Sequence, residues 1–461
     1  MKTSSRFALF AGILVLLSLL LLSACGGGGG SGDVTAGDDI SDDGTGDGGT
    51  PPVTDAGYTL LAWNDLGMHC LNPTYDTLVI LPPYNTVWAQ LVRRGSPPQL
   101  VTSGVTLDYR VVNNTSSADK TNPAMGSDFG QFWTYVQQLF GVSLAPDTGL
   151  NLVDPTLHNG LAGTLVQTGS HFEVDGIPLT PVDDSNVWNP YQVIEITAKD
   201  GSGNVLATTR ATVPTSDEIR CATCHGSNAF ADILAKHDAD VGTGLAAATP
   251  VLCASCHGSP ALGTSGPGSA GIYLSQAIHG FHADKSTPLG AAIGCYDCHP
   301  GTTTRCNRSI AHTAADGNCT TCHGSLQQLA AGIAAGRIPW ASEPKCSDCH
   351  GGVAEVDTGT TLYRNASGHG GLGCPACHGS PHAMVPSSQA SDNYQAIQYQ
   401  GKALSLSSCA VCHATSRGAG LSEFLEEHGG TSHPSACGVC HTTITTIDTT
   451  LWPHHFEWQS R

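Results

Sequence analysis

The sequence predicts two structural parts: an N-terminal all-β, sandwich-like domain over residues 58–215, then a cofactor-cored, mostly irregular domain with short helices over residues 216–461. Three observations predict this. Short β-branched runs broken by Pro, Gly and Asn fill the first part, as in strands. The second part repeats Cys-x-x-Cys-His eight times: Cys221–His225, Cys253–His257, Cys295–His299, Cys319–His323, Cys346–His350, Cys374–His378, Cys409–His413 and Cys437–His441. The repeats start 32, 42, 24, 27, 28, 35 and 28 residues apart, too close for eight separate pockets.

The pentad is the attachment signal of haem c. Two thiols three positions apart on one turn reach the two vinyl groups of one haem edge, and the His that follows lies under the iron. The expected thioether cysteines are Cys221, Cys224, Cys253, Cys256, Cys295, Cys298, Cys319, Cys322, Cys346, Cys349, Cys374, Cys377, Cys409, Cys412, Cys437 and Cys440. The expected proximal ligands are His225, His257, His299, His323, His350, His378, His413 and His441. Cys pairs at this spacing also bind zinc. Neither zinc nor a disulfide scaffold explains a His after every second Cys. The expected cofactors are eight haem c groups, and the macrocycles themselves are expected to form the core of this half.

Each iron has a sixth position. Outside the pentads this half has ten His, and Met384 is its one Met. At least seven irons therefore cannot take Met, and mainly bis-His ligation is expected, with lower potentials than His/Met pairs. The distal candidates are His237, His279, His282, His312, His369, His382, His428, His433 and His454. The adjacent His454 and His455 point in different directions and supply one ligand, with His454 preferred. A second surplus His is not identified; His312 and His433 are the weakest candidates. His279 and His282 share a face of a helix expected over residues 273–283 and can serve neighbouring irons. His382 follows a pentad closely and reaches an adjacent iron rather than its own.

In the β-rich part, strands are expected over 58–63, 77–81, 87–92, 105–112, 161–166, 192–198 and 205–213, with a hairpin turn at Asp200–Gly203. A helix is expected over 131–140, where Phe132, Val136, Leu139 and Phe140 share a face. About 150 residues suffice for a separate core. The stretch Trp63–Cys70 has two readings: Met68, His69 and Cys70 as copper or iron ligands, or a turn with a packed Trp and a buried Cys. The turn is preferred, because adjacent side chains rarely converge on one ion. His158 and His171 read as surface or hydrogen-bonded residues.

The formal charge of −19 makes nucleic acid an unsuitable partner and suits cationic partners or metal cations. Nineteen Cys comprise sixteen in the pentads plus Cys25, Cys70 and Cys306. Cys70 and Cys306 either bridge the two halves, in an oxidising compartment, or remain two buried thiols. Residues 1–25 read as an export signal: Lys2 and Arg6 precede an apolar run, Ala8–Leu22, too short for a membrane span. Residues 26–57 are a Gly/Asp-rich tether that cannot bury enough surface to fold. Asp39, Asp42, Asp43 and Asp47 within it read as solvated, with loose calcium binding the lesser alternative.

Leu22-Ser23-Ala24-Cys25 resembles a bacterial lipobox, which implies lipidation of Cys25. Gly26, rather than Asp, after it implies outer-membrane sorting. With the eight pentads, the stretches Cys295–Arg308 and Cys374–His382 and the Trp63–Cys70 segment, about three quarters of the chain resembles the multihaem outer-surface c-type cytochromes of metal-reducing bacteria such as Geobacter relatives. The resemblance implies a multihaem cytochrome c domain and electron transfer at the cell surface. It also implies other multihaem cytochromes, an outer-membrane conduit, or metal oxides or soluble metals as partners, and in some members a homopolymer. The competing expectation is an octahaem oxidoreductase acting on nitrite, hydroxylamine or a sulfur oxyanion at a haem with an open position. Eight intact pentads and a surplus of distal His speak against it. The β-rich part is expected to bind a partner such as a porin, another cytochrome or a neighbouring subunit.

Overall fold

The structure, a computed structural model, describes residues 57–95, 97–301, 303–313, 319–349 and 361–414. The export segment with Cys25 and nearly all of the tether lie outside the described residues. So do His350, the pentad Cys437–His441, and His428, His433, His454 and His455. Among the described residues, no helix is long and apolar enough to cross a membrane.

Two antiparallel sheets build the first half. Sheet one contains β1 (Tyr58–Asn64), β2 (Thr86–Arg93), β3 (Gln99–Val101), β6 (Val166–Thr168) and β7 (His171–Asp175), in the order β1-β2-β7-β6 with β3 also on β2. Sheet two runs β9-β8-β4-β5, from β4 (Val105–Val111), β5 (Ala162–Thr164), β8 (Val193–Asp200) and β9 (Val205–Thr212). Leu60, Val87, Ala89, Leu91, Phe172 and Val174 of sheet one and Leu107, Tyr109, Ile194, Ile196 and Ala207 of sheet two form one buried cluster. The expected run 161–166 splits into β5 and β6, which join different sheets. Strand β7 was not apparent from sequence: its alternation of Phe172 and Val174 with polar neighbours is only five residues long.

Helix α1 (Gln131–Phe140) forms over the expected residues and buries Phe132, Val136 and Leu139. Tyr75 meets Phe132 edge-on at 5.4 Å, seating this helix beside a second buried cluster. The second half adds α2 (Ala229–Val241), α3 (Leu274–His282), α4 (Leu326–Ala334) and α5 (Tyr394–Gln400), with long irregular connections.

Strand β1 is buried on both faces, which is why it reads as an unbroken apolar run rather than an alternation. Leu60 and Ala62 face the sandwich core. Leu61 and Trp63 pack instead against Ala376, Leu372, Tyr399 and Leu406 of the second half. Helix α5 closes the outer edges of β1 and β9. The Tyr399 hydroxyl donates to Leu60 O at 2.7 Å and lies 3.1 Å from Leu60 N. Ala62 N donates to Gln395 Oε1 at 2.8 Å. Gln398 Nε2 donates to Thr208 O at 2.9 Å and Gln395 Nε2 to Arg210 O at 3.1 Å. Side chains of one short helix thus satisfy strand edges that would otherwise template pairing with another chain.

A buried guanidinium makes the second clamp. Arg308 is 2 % exposed and holds Asp392 with two bonds, Nε to Oδ2 at 2.8 Å and Nη2 to Oδ1 at 3.1 Å. Its Nη1 donates to Gly67 O at 2.7 Å, and its plane lies 4.9 Å over the Tyr191 ring. Four chain segments meet on this one cation. Arg308→Ala leaves the Asp392 carboxylate buried and unpaired, so it should cost about 3–5 kcal/mol; a lowered denaturation midpoint of the haem-loaded protein checks this.

Asp175 ends β7, with Thr86 Oγ1 donating to it at 3.3 Å. Burial first, then the charges of Glu173 and Asp65, push its carboxyl up to about 7. The folded chain therefore keeps a proton that the unfolded chain releases near pH 4. Stability should fall as pH rises from about 4 to about 7 on this account. Asp175→Asn should flatten that slope in thermal midpoints measured between pH 4.5 and 8, and an unchanged slope would exclude Asp175 as its source.

Candidate haem-binding site

Each described pentad closes one tight turn. The fifth-residue N–H returns to the first-residue carbonyl: His225 to Cys221 at 2.9 Å, His257 to Cys253 at 3.0 Å, His299 to Cys295 at 2.9 Å and His413 to Cys409 at 2.9 Å. Such a turn sets the two thiols on one side with the imidazole beside them. Residues 222–225, 319–323 and 374–378 form α-helical turns; those starting at Cys253, Cys295, Cys346 and Cys409 form 3₁₀ turns.

Five pentad imidazoles each face a histidine from elsewhere. Ring centroids are 6.4 Å apart for His225 and His282, 6.3 Å for His237 and His257, and 6.1 Å for His279 and His299. They are 6.2 Å apart for His323 and His382 and 6.1 Å for His369 and His413. A metal–imidazole bond of about 2.0 Å plus a ring radius of about 1.2 Å on each side separates the centroids of two axial ligands by about 6.4 Å. Direct stacking of two rings is closer, as Trp88 on His171 at 4.5 Å illustrates. Each of the five centroid separations matches the spacing of two imidazoles held on one metal ion.

In five of these rings Nδ1 has a close partner. Nδ1 of His279 donates to Ser275 O at 2.7 Å, that of His282 to Ile278 O at 2.8 Å, and that of His382 to Leu66 O at 3.0 Å. Nδ1 of His225 faces Asp232 Oδ2 at 2.6 Å, and that of His237 faces Thr243 Oγ1 at 2.9 Å. A carbonyl or carboxylate on Nδ1 fixes the tautomer whose Nε2 has the free lone pair, and makes that nitrogen a better donor. Burial pushes His299 and His382 down to about 4 and lowers His279, His323, His369 and His413, so these imidazoles stay neutral, the ligand form.

A single void of about 2760 Å³ joins four of the five pairs; His369 and His413 lie outside its wall. Its wall includes thiols of the first six pentads, with His225, His257, His299, His323 and His378 and with His237, His279, His282, His312 and His382. Pockets for one drug-sized ligand are about 300–1,000 Å³, so this void accommodates several large cofactors side by side. Neighbouring pentads meet across it: the thiols of Cys295 and Cys319 hydrogen-bond, and Cys346 packs against the cluster of Tyr363, Ala366 and Cys374. The donor set, the paired rings and the void all fit haem c.

Helix α3 carries His279 and His282 to two different pentads. His382 stands opposite His323 rather than His378 in its own pentad. His312 lines the void, its Nδ1 3.4 Å from Ser309 Oγ. Met384 packs with Tyr363, Ala366 and Cys374. Asp232 was missed in the sequence; its place seven residues after His225, on the helix that follows the pentad, was the available signal. Nothing local marked the Leu66 carbonyl.

The segment Trp63–Cys70 ends β1, turns over residues 65–68 and enters a short strand at His69–Cys70, with Trp63 buried and Cys70 only partly so. His69 Nε2 binds Asp65 Oδ1 at 2.9 Å, and the Cys70 thiol hydrogen-bonds that of Cys306. His69 and Cys70 form a short parallel pairing with Thr215 and Ser216, so their side chains diverge. Among the described residues, no group of three or more His, Cys, Asp or Glu converges as a metal site. His171 stacks on Trp88 and bonds Glu173 at 3.2 Å.

Residues 329–379 match the protein family described as cytochrome c554 and c-prime. That stretch contains the pentads at Cys346 and Cys374 together with His369. Comparison with curated proteins and with solved structures gives no match. By the family match the chain includes a c-type cytochrome segment, and with it covalent haem c and haem-based electron transfer.

Proposed function

We propose that the protein is an electron carrier that binds eight haem c groups, mainly between two histidines each, in a haem-cored multihaem domain. The observation that carries this reading is the set of five facing imidazole pairs, 6.1–6.4 Å apart, each with one member from a pentad. Bound haem supplies a reversible one-electron iron couple.

The chain's residues have three tasks in this reading. Pentad thiols tether each macrocycle by one edge, so roughly 30 residues per cofactor suffice without a prefolded pocket. The five imidazole pairs would hold the iron from both sides and would leave no site for substrate at those five centres. The Nδ1 partners, Asp232 and the carbonyls of Ser275, Ile278 and Leu66, hold the rings and tune their donor strength. Touching pentads keep neighbouring centres close enough for outer-sphere transfer.

The location belongs to the same proposal. A lipid on Cys25 and the tether anchor the body to the outer membrane, at the cell surface, for extracellular electron transfer to metals or partner cytochromes. The formal charge of −19 suits metal cations as partners.

The test is mass spectrometry with electron paramagnetic resonance of the oxidised mature protein. Eight covalent haems, all low-spin, are expected. His279→Ala and His282→Ala should each convert one haem in eight to high spin, and the double variant two, with haem content unchanged. A stoichiometric high-spin haem that binds nitrite in the unaltered protein would instead favour the oxidoreductase reading. Fewer than eight haems would end the proposal.

A further inference from the structure

We infer that the turn Trp63–Cys70 of the β-rich half is a positioning device for the imidazole of His382, acting through the Leu66 carbonyl. The inference rests on the reading that His323 and His382 are a pair of axial ligands. His237, His279 and His282 find Nδ1 partners within six residues of themselves. His382 reaches across 316 positions to Leu66 O, at 3.0 Å.

The turn is built to hold that carbonyl still. Asn64 is 1 % exposed, and its Oδ1 accepts from Leu66 N at 3.1 Å and Gly67 N at 2.6 Å. Its Nδ2 donates to Asn85 Oδ1 at 2.7 Å and Thr86 O at 2.8 Å, locking the amide to β2. Gly67 has φ +83°, and a Cβ there would lie 3.1 Å from His382 N and 3.2 Å from Ser380 Cβ. A side chain at 67 therefore meets both a backbone penalty and the ligand's own main chain. Ser380 Oγ donates to Asn64 O at 2.7 Å. Arg308 completes the frame: its N donates to His382 O at 2.7 Å, and its guanidinium to Gly67 O at 2.7 Å. The histidine is thus gripped at its backbone by one half and at its ring by the other. Acceptance of the Nδ1 proton strengthens Nε2 as a donor, which favours the oxidised metal and lowers the potential of that one centre.

The experiment uses the full haem-loaded protein. Asn64→Ala and Gly67→Ala loosen the turn; replacement of His382 by Nδ1-methylhistidine removes the donor without touching the turn, and so survives any folding failure of the other two. His382→Ala is the reference. One low-spin resonance in eight should shift in each variant, and one-eighth of the redox titration should move to higher potential, with eight haems still bound. Unchanged spectra and titration in the methylhistidine protein, beside a new high-spin haem in His382→Ala, would overturn the positioning role. A silent His382→Ala would overturn the ligand pairing beneath it.

A different observation carries a second inference: the structure assigns Cys70 and Cys306 as a disulfide joining the two halves. Both thiols stand outside the pentads, and their side chains hydrogen-bond each other. The flanking backbone is fixed independently: Cys70 pairs with Ser216, whose hydroxyl lies 2.8 Å from Thr304 Oγ1, and Glu218 Oε2 accepts from Thr304 N at 2.9 Å. In the bond-forming step two S–H bonds break and one S–S bond forms. Two protons and two electrons pass to a disulfide-bearing oxidant, whose own S–S bond becomes two thiols, before this segment is sealed. Peptide mass spectrometry of exported protein, thiol-blocked on lysis, should find the two cysteine peptides linked and released by reductant. Alkylation of both without reductant would overturn the assignment.

Discussion

In the proposed carrier, two imidazole rings stand on either side of one iron, their centroids just over 6 Å apart. Much of the second half serves that constraint. A pentad turn delivers one ring at a fixed offset from two thiols, so it needs no help from tertiary structure. The opposing ring does need it, because it comes from a distant stretch of chain. Hence the few regular elements of this half: α2 presents His237, and α3 presents His279 and His282. A helix is the cheapest way to hold an imidazole rigidly when there is little apolar side chain to pack around it.

The β-rich half is not an appendage to this arrangement. Its strand β1 has Leu61 and Trp63 packed on the pentad at Cys374, and its outer edge is closed by side chains of α5. The Arg308 cation draws the turn before β2, the loop before β8 and two later segments onto one point. Such a buried ion pair is poor as a net source of stability. Its value is geometric: a planar fork with five donors admits only one arrangement of the carbonyls and the carboxylate around it.

What was legible in the sequence was whatever is local. Eight pentads announce themselves because thioether chemistry fixes their spacing. Most of the longer strands and helix α1 follow from periodicity, since Phe132, Val136 and Leu139 recur on one face. The pairing of His282 with His225, 57 positions away, has no local signature; nor has the bond from His382 to Leu66. Helix α5 has only seven residues, and what singles it out is the reach of Gln395, Gln398 and Tyr399 to strand edges, which no propensity encodes. The short β7 was hidden for a similar reason. The Trp63–Cys70 stretch gathers Met, His and Cys, which offered metal ligation as the lesser reading; the contacts it makes in the fold, through the Asn64 amide and the Leu66 carbonyl, have no sequence signature.

Helix α3 holds two of the rings three positions apart on nine residues. Their separation is therefore a property of the α-helical repeat, about 1.5 Å of rise per residue, rather than of any loop. Drift in the surrounding irregular chain moves both imidazoles together, as teeth on one comb, and leaves their spacing unaltered. A molecule with so little scaffolding has in this way borrowed a ruler from the polypeptide backbone itself.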